Sequence, residues 1–289
     1  MLLRSLMNVS ATSRFGGTAV VDCLAPARDM GNAEQHTRFT PDCVLIREHC
    51  RGVHGEDHTH QLMGLLYSQV PCINAAKSVL RAVDRPGVYA VLLDLRNEMG
   101  TEKDGSFHFP LVEQDYFANE APQSIEPRFP LVAKVSSIHA GFGRMRARDI
   151  EAYADTMSMI ALHSEYCTTE SLIENVECEI YIQQIGDQVK AYRKQQSATF
   201  RTWVDAKAAA YEDIPVTKIY REWITAVSAA FDGLDIFALN VLRTTDGGEY
   251  IIGLHDTACP LVPHREDEDL KQIAKLVRGK LKGAVKRKS

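Results

Sequence analysis

Apolar positions fall into short runs along much of the chain, and these runs predict buried strands. Each run is bounded by polar or turn residues and is too brief for an independent helix. The predicted strands are residues 43–46, 70–74, 109–114, 129–135, 167–173, 179–185, 188–192, 236–242 and 249–254. Gly186-Asp187 and the Thr-Asp-Gly-Gly segment at 245–248 each join two consecutive runs, which predicts two β-hairpins.

Helical spacing occurs between these runs. Residues 62–67 and 84–95 predict helices, and a third helix follows Asp149, which we predict to be its N-cap. Its apolar positions recur at three- and four-residue steps and are Ile150, Tyr153, Met157, Ile160 and Ala161. The last helix begins with the acidic run 266–269 and ends in a basic segment, an order that complements the helix dipole.

Two stretches lack a clear period. Residues 97–108 are polar and predict a loop. Residues 1–39 predict a leader or tail with at most one short strand at 17–23. The strand–helix–strand order that follows, over residues 43–74, predicts an α/β layer.

Composition excludes several classes of protein. The chain has 289 residues, of which 45% are hydrophobic and 25% charged, values that exclude collagen-like and wholly disordered proteins. Its net charge of −5 gives no basic field for nucleic acid, so we expect no nucleic-acid partner. The seven scattered cysteines favour reduced thiols in a cytosol-like compartment. The first acidic residue is Asp22, after Arg4 and Arg14, which leaves mitochondrial targeting as an alternative.

Lys134 carries the most suggestive local chemistry. It lies at the end of an apolar strand, and the segment that follows contains Gly141 and Gly143 and ends in Arg144. A strand lysine needs an edge or an anion, and glycines let backbone N–H groups approach phosphate oxygens. The pattern therefore indicates a nucleotide clamp, and a β-hairpin turn with a lysine that reaches solvent is the structural alternative.

Two histidine-containing segments are weaker candidates. His54, His58 and His60 lie close enough in sequence to ligate a transition metal, but a solvated polar turn explains them as well. His255-Asp256 follows the last predicted strand, where it is either a catalytic pair or a strand-end cap.

Ordered sequence blocks extend from about residue 41 to 281, at residues 41–49, 55–57, 109–114, 129–134, 139–144, 168–170, 182–186, 233–236 and 250–252. In this order, the blocks resemble the central domain of the synapsins, a branch of the ATP-grasp superfamily. The resemblance implies an α/β (α+β) ATP-grasp fold with a truncated pre-ATP-grasp layer. It divides the chain into a leader at 1–39, a pre-ATP-grasp subdomain at 40–100 and an ATP-grasp domain at 101–289, with lobes at about 101–186 and 187–289.

The resemblance also implies an ATP site. Lys134 looks like the superfamily lysine that reaches the α- and β-phosphates, and Arg85 stands where the family has a second nucleotide lysine. The remaining nucleotide-binding positions implied are His139, Ala140, Gly141, Phe142 and Gly143 in the phosphate loop, Glu170, Ser171, Leu172 and Ile173 in the adenine hinge, Glu179 near the ribose, and Lys194.

Departures from the family pattern concern the metal. Asp235 matches the first acidic position on the metal-facing hairpin. The second strand of the family hairpin ends in Ile-Ile-Glu, whereas this chain has Gly253 in place of the glutamate. Some members also have a glutamate where this chain has Asn240. Since Mg²⁺ is held by carboxylates and substrate phosphates, these changes predict weak binding of Mg²⁺ or Ca²⁺.

Three functions are compatible with these residues. The first is a synapsin-like ATP-binding protein on the cytoplasmic surface of synaptic vesicles, which regulates neurotransmitter release, forms homodimers or higher oligomers, and contacts the vesicle membrane or cytoskeleton. The second is an ATP-dependent carboxylate–amine ligase, which the loss at Gly253 disfavours. The third is a degenerate scaffold that binds no nucleotide.

Overall fold

The computed structural model describes residues 7–12, 18–24, 36–53, 56–101, 108–118, 125–135, 143–162, 166–195 and 211–288. Its strands are β1 (Met7–Thr12), β2 (Thr18–Leu24), β3 (His36–Phe39), β4 (Val44–Leu45), β5 (Arg51–Val53), β6 (Glu56–Asp57), β7 (Cys72–Ile73), β8 (Gln114–Phe117), β9 (Leu131–Val135), β10 (Arg144–Ala147), β11 (Cys167–Ser171), β12 (Val176–Ile185), β13 (Gln188–Gln195), β14 (Tyr211–Ile214), β15 (Ile236–Thr244) and β16 (Glu249–His255). The helices are α1 (Thr59–Ser68), α2 (Ala76–Arg81), α3 (Arg85–Met99), α4 (Ile150–Ala161), α5 (Lys218–Ala230) and α6 (Glu266–Lys288), with a 3₁₀ turn at Pro263–Arg265.

The N-terminal segment contains more structure than its sequence predicts. β1, β2 and β3 form an antiparallel sheet in which Met7 pairs with Cys23 and Val21 with Phe39. The expectation of at most one short strand before residue 40 is therefore wrong. Whether residues 1–39 also act as a leader stays a prediction.

The next layer confirms the predicted strand–helix–strand order. β4 and β7 pair in parallel, with Val44 opposite Cys72 and Leu45 opposite Ile73. α1 and α2 cover them, and Val44, Leu62, Leu65 and Val79 form a buried cluster. Parallel strands need a crossover between them, and α1 supplies it here.

A four-stranded sheet in the order β10-β9-β11-β8 follows. Alternate residues of β9, namely Leu131, Ala133 and Val135, pack with Tyr153 and Ile160 of α4. The predicted N-cap is confirmed, because a carboxylate oxygen of Asp149 accepts a hydrogen bond from the Ala152 backbone N–H at 2.9 Å.

A five-stranded antiparallel sheet in the order β14-β13-β12-β15-β16 forms the rest of the molecule. α3 and α5 pack on one face, where Leu92, Phe109, Trp223 and Phe237 are buried together. β12 belongs to this sheet, so the division between the two sheets falls after β11, ahead of the predicted lobe boundary at 186.

The structure corrects two further predictions and contains one helix that the sequence analysis did not predict. Residues 109–113 are not a strand: Leu111 makes a single parallel bridge to Ile251, and β8 begins only at Gln114. α3 continues through Met99 into the predicted loop, whose residues 102–107 lie outside the described part. α5 was not predicted at all, although Thr217 caps it and Tyr220, Trp223, Ile224 and Val227 form its buried face.

Candidate functional site

Strand register places a row of polar side chains on one face of the four-stranded sheet. Lys134 of β9 lies directly opposite Arg144 of β10 and Thr168 of β11. Two residues along, Glu170 pairs with Gln114 of β8. Directly opposed residues share a face and side chains alternate along a strand, so this row lies on the face away from α4.

The five-stranded sheet presents a second set of side chains. Glu179, Lys194 and Tyr211 lie side by side on β12, β13 and β14. One step further along the sheet, Tyr181 pairs with Asn240, which pairs with Gly253.

These two sets line one cavity of about 570 Å³, closed on a third side by α3. The polar residues in its wall include Arg85, Lys134, Arg144, Glu170, Glu179, Lys194 and Asn240. Apolar residues of α3 and β16, such as Val88, Leu92 and Ile251, line another part. A mostly apolar cleft of this volume with a few convergent charged groups is typical of small-molecule sites.

Lys134 is the most buried charged group of the cavity. Its exposed fraction is 6%, and its ammonium donates a hydrogen bond to Glu170 Oε2 at 2.5 Å. Burial lowers the pKa of Lys134, and the Glu170 carboxylate opposes that shift. The amide of Gln114 donates to the same carboxylate oxygen at 3.3 Å. The ion pair stabilises a buried cation that would otherwise be costly, and it holds the ammonium at the cavity wall.

Two more cations of the cavity have protein partners. Arg85, at the first position of α3, donates from Nη2 to the Val135 carbonyl oxygen at 3.0 Å, and burial lowers its pKa. Lys194 lies 3.5 Å from the Glu179 carboxylate. Arg144 differs from both, since it is exposed and has no hydrogen bond or ion pair with any described residue.

Two of the three positions where the resemblance locates metal ligands face each other across β15 and β16. They are Asn240 and Gly253, and neither is a carboxylate. The Asn240 amide nitrogen donates instead to His255 Nε2 at 2.8 Å. Within the described part of the chain, no group of three His, Cys, Asp or Glu residues is arranged to hold a metal ion. Mg²⁺ and Ca²⁺ prefer carboxylate oxygens, and neither of these two positions supplies one.

Asp235, the predicted metal ligand, is not brought to this cavity. It lies at the start of the hairpin, five residues before Asn240, which corresponds to about 16 Å along a strand. Its carboxylate pairs with Lys280 of α6 at 3.0 Å, and its backbone N–H donates to the Asn74 side chain at 2.7 Å.

The other predicted residues divide into three groups. Arg85, Lys134, Glu170, Glu179 and Lys194 meet at the cavity. Ser171, Leu172 and Ile173 are not part of its wall. His139, Ala140, Gly141 and Phe142 lie outside the described residues, whereas the Gly143 carbonyl accepts a hydrogen bond from the Val135 N–H at 2.9 Å just before β10.

The cavity has a second group around the end of β16, which includes the His255-Asp256 pair that the sequence left open as catalytic or capping. Burial and the nearby cations His49, Arg144 and Lys194 lower the pKa of His255 to about 4. Burial raises the pKa of Asp256, and His49, 3.6 Å away, opposes that shift. Tyr181 and Tyr211 also line the wall. For these two tyrosines, the sequence signal was alternation along the strands. Alternation indicates which residues share a face of a strand, but not what that face packs against.

The structure describes two of the three histidines of the candidate metal segment, and His60 is exposed in the first turn of α1. His58 is 3% exposed, while its backbone N–H donates to the Cys50 carbonyl at 2.7 Å. His54 lies outside the described residues.

Six cysteines with described side chains are free thiols. No helix in the described ranges has both the length and the apolar character needed to cross a bilayer.

Solved structures with a similar fold are ATP-grasp enzymes. D-alanyl-alanine synthetase A from Vibrio cholerae matches with a TM-score of 0.62 and 12% identity, covering 86% of this chain and 78% of that one. A RimK domain ATP-grasp protein from Sphaerobacter thermophilus matches with a TM-score of 0.56 and 14% identity, covering 88% and 84%. The predicted α/β ATP-grasp fold is confirmed.

Sequence comparison is more specific. Residues 74–283 match the family described as the synapsin ATP-binding domain. Synapsin of Drosophila melanogaster is 33% identical over 253 residues, which cover 86% of this chain and 24% of that protein. The chain therefore spans about a quarter of that relative's length. The match over most of the chain, together with the ATP-grasp fold and the lysine at its cavity, means that the chain belongs to the synapsin family.

Proposed function

We propose that this chain binds ATP in the cavity between its two sheets. The observation that carries the proposal is the buried Lys134, held at the wall opposite the five-stranded sheet with Arg85 and Lys194 in the same cavity. Guanidinium and ammonium groups are the usual partners of phosphate oxygens. Membership of a family described by its ATP-binding domain supports the same ligand.

Charge explains why the site suits a polyphosphate. Glu170 and Glu179 each neutralise one lysine of the cavity. A triphosphate offers several negative charges, so it can add to these ion pairs or replace them. The predicted adenine hinge at Ser171, Leu172 and Ile173 adjoins Glu170 and stays part of this proposal, although the cavity wall ends at Glu170.

The proposal includes weakened binding of a divalent metal ion. Asn240 and Gly253 provide no carboxylate where two could clamp an ion. Phosphoryl transfer depends on neutralising the phosphate charge, so this site favours binding over catalysis. Release of ADP with carboxylate and amine substrates would instead support a ligase.

Calorimetric titration with ATP tests the proposal through Lys134→Ala. We expect the substitution to weaken ATP binding by at least about tenfold, the loss of one charge-assisted contact. Lys275→Ala is the matched control, because Lys275 pairs with Asp187 at 3.2 Å on the surface. Equal affinity in both variants would refute a role for Lys134, and no ATP binding by the unchanged chain would leave the scaffold function.

The wider role that we propose is that of a synapsin-like protein, peripheral to the cytoplasmic face of synaptic vesicles and self-associating. Family membership supports it, and the Drosophila relative is named Synapsin. Co-flotation of the chain with purified synaptic vesicles tests the membrane association, and sedimentation tests self-association. A chain that stays monomeric and does not float would contradict this role while leaving ATP binding intact.

A further inference from the structure

We propose that Arg144 is an affinity-determining residue of this site, whose guanidinium supplies the positive charge that a divalent ion would otherwise bring to the phosphates. The ligand class is a nucleoside triphosphate free of metal. This inference rests on the proposed function, because it specifies how the same cavity holds its nucleotide.

Arg144 differs from the other cations of the cavity in its contacts to protein groups. Lys134 is paired with Glu170, Lys194 with Glu179, and Arg85 donates to a backbone carbonyl. Arg144 lines the same cavity without a hydrogen bond or ion pair to any residue that the structure describes. Its charge is therefore available to a ligand without breaking a contact.

The backbone fixes where this charge lies. Arg144 is the first residue of β10 and lies directly opposite Lys134 in the antiparallel register. Just before it, the Gly143 carbonyl accepts a hydrogen bond from the Val135 N–H at 2.9 Å, so the start of β10 is tied to the end of β9. Opposed residues have Cβ atoms about 5 Å apart, which places the two cations side by side on one face.

On the opposite wall, the carboxylates of Glu179 and Asp256 already face Lys194 and His49, at 3.5 Å and 3.6 Å. Asn240 and Gly253 are neutral, and Asn240 is already hydrogen-bonded to His255. Without a bound ion, the phosphate charge has to be balanced by protein cations. Arginine suits this role because its planar guanidinium can donate two parallel hydrogen bonds to one phosphate and stays charged at every accessible pH.

The experiment is calorimetric titration with ATP, in Mg²⁺ and in EDTA, of the unchanged chain, Arg144→Ala and Arg146→Ala. Arg146 is the matched control, because it is an exposed arginine on the same strand and the same face, two residues further on, and is not part of the cavity wall. We expect the unchanged chain to bind ATP with similar affinity in both buffers. Arg144→Ala should weaken binding in EDTA by about tenfold or more, and Arg146→Ala by less than about threefold.

Arg144→Lys separates charge from shape, since it should recover part of the affinity. Thermal unfolding of each variant checks that the fold is retained. If ATP binding vanishes in EDTA, or if Arg144→Ala binds as tightly as Arg146→Ala, the Arg144 assignment is overturned while ATP binding stands. If the unchanged chain binds no ATP in either buffer, both proposals fail.

Discussion

At the scale of single residues, the cavity is governed by pairs of opposite charge. Lys134 and Glu170 are both largely buried, and neither would be stable in that position alone. Lys194 and Glu179 also pair, at 3.5 Å, but they are only half-buried and depend less on each other. These pairs keep the charges of the site inside the protein, whereas Arg144 is the cation without a partner in the described part of the wall.

Gly253→Glu should give the site a dependence on divalent metal. A Cβ built at Gly253 meets no atom within 4 Å, and the backbone there does not require glycine, so the new side chain fits into the cavity. A carboxylate opposite Asn240 repels phosphate until an ion neutralises it. We expect the ratio of ATP affinity in Mg²⁺ to that in EDTA to rise by about tenfold.

The control for that variant is Gly279→Glu on α6. Gly279 is exposed, and a Cβ added there also meets no atom within 4 Å, so the variant adds the same charge away from the cavity. Calorimetry in the two buffers measures both variants. An unchanged affinity ratio in Gly253→Glu would mean that this position does not face the phosphates.

At the scale of elements, the sequence predicted a helix correctly where a capping residue and an amphipathic pattern occurred together. Asp149 has both a capping side chain and an amphipathic helix after it, and the structure confirms the cap. Residues 109–113 have strand-like composition but, among the described residues, find no strand to pair with apart from the bridge at Leu111. α5 had a cap at Thr217 and a strongly apolar face, so its signal was present in the sequence and was overlooked.

At the scale of the whole molecule, Asn74 joins two layers. It is fully buried beside β7 and accepts hydrogen bonds from the Asp235 and Ile236 N–H groups at 2.7 Å each. Its amide nitrogen donates to the Ile236 carbonyl at 2.7 Å. Asn74 therefore satisfies three backbone groups at the start of β15, and this connects the first α/β layer to the sheet that lines the cavity.

Asn74→Ala should lower the free energy of unfolding by about 3 kcal/mol, because it leaves buried N–H and C=O groups without partners. Asn97→Ala is the control, since Asn97 is exposed on α3 and its loss should change stability by less than about 0.5 kcal/mol. Urea unfolding followed by circular dichroism measures both. Equal midpoints would contradict the role of Asn74 as the link between layers.

The amino-acid sequence by itself determined the ATP-grasp fold and singled out Lys134 through ordered blocks that resemble the family, and its local periodicity predicted eight of the sixteen described strands and the capped helix. Only the tertiary structure decided which polar groups share the cavity. In the folded chain, Arg144 lies beside Lys134 and Asn240 lies opposite Gly253. Asp235 instead forms an ion pair with Lys280. The reason is physical: a strand's own pattern fixes which residues share a face, but long-range pairing decides which face of another sheet they meet.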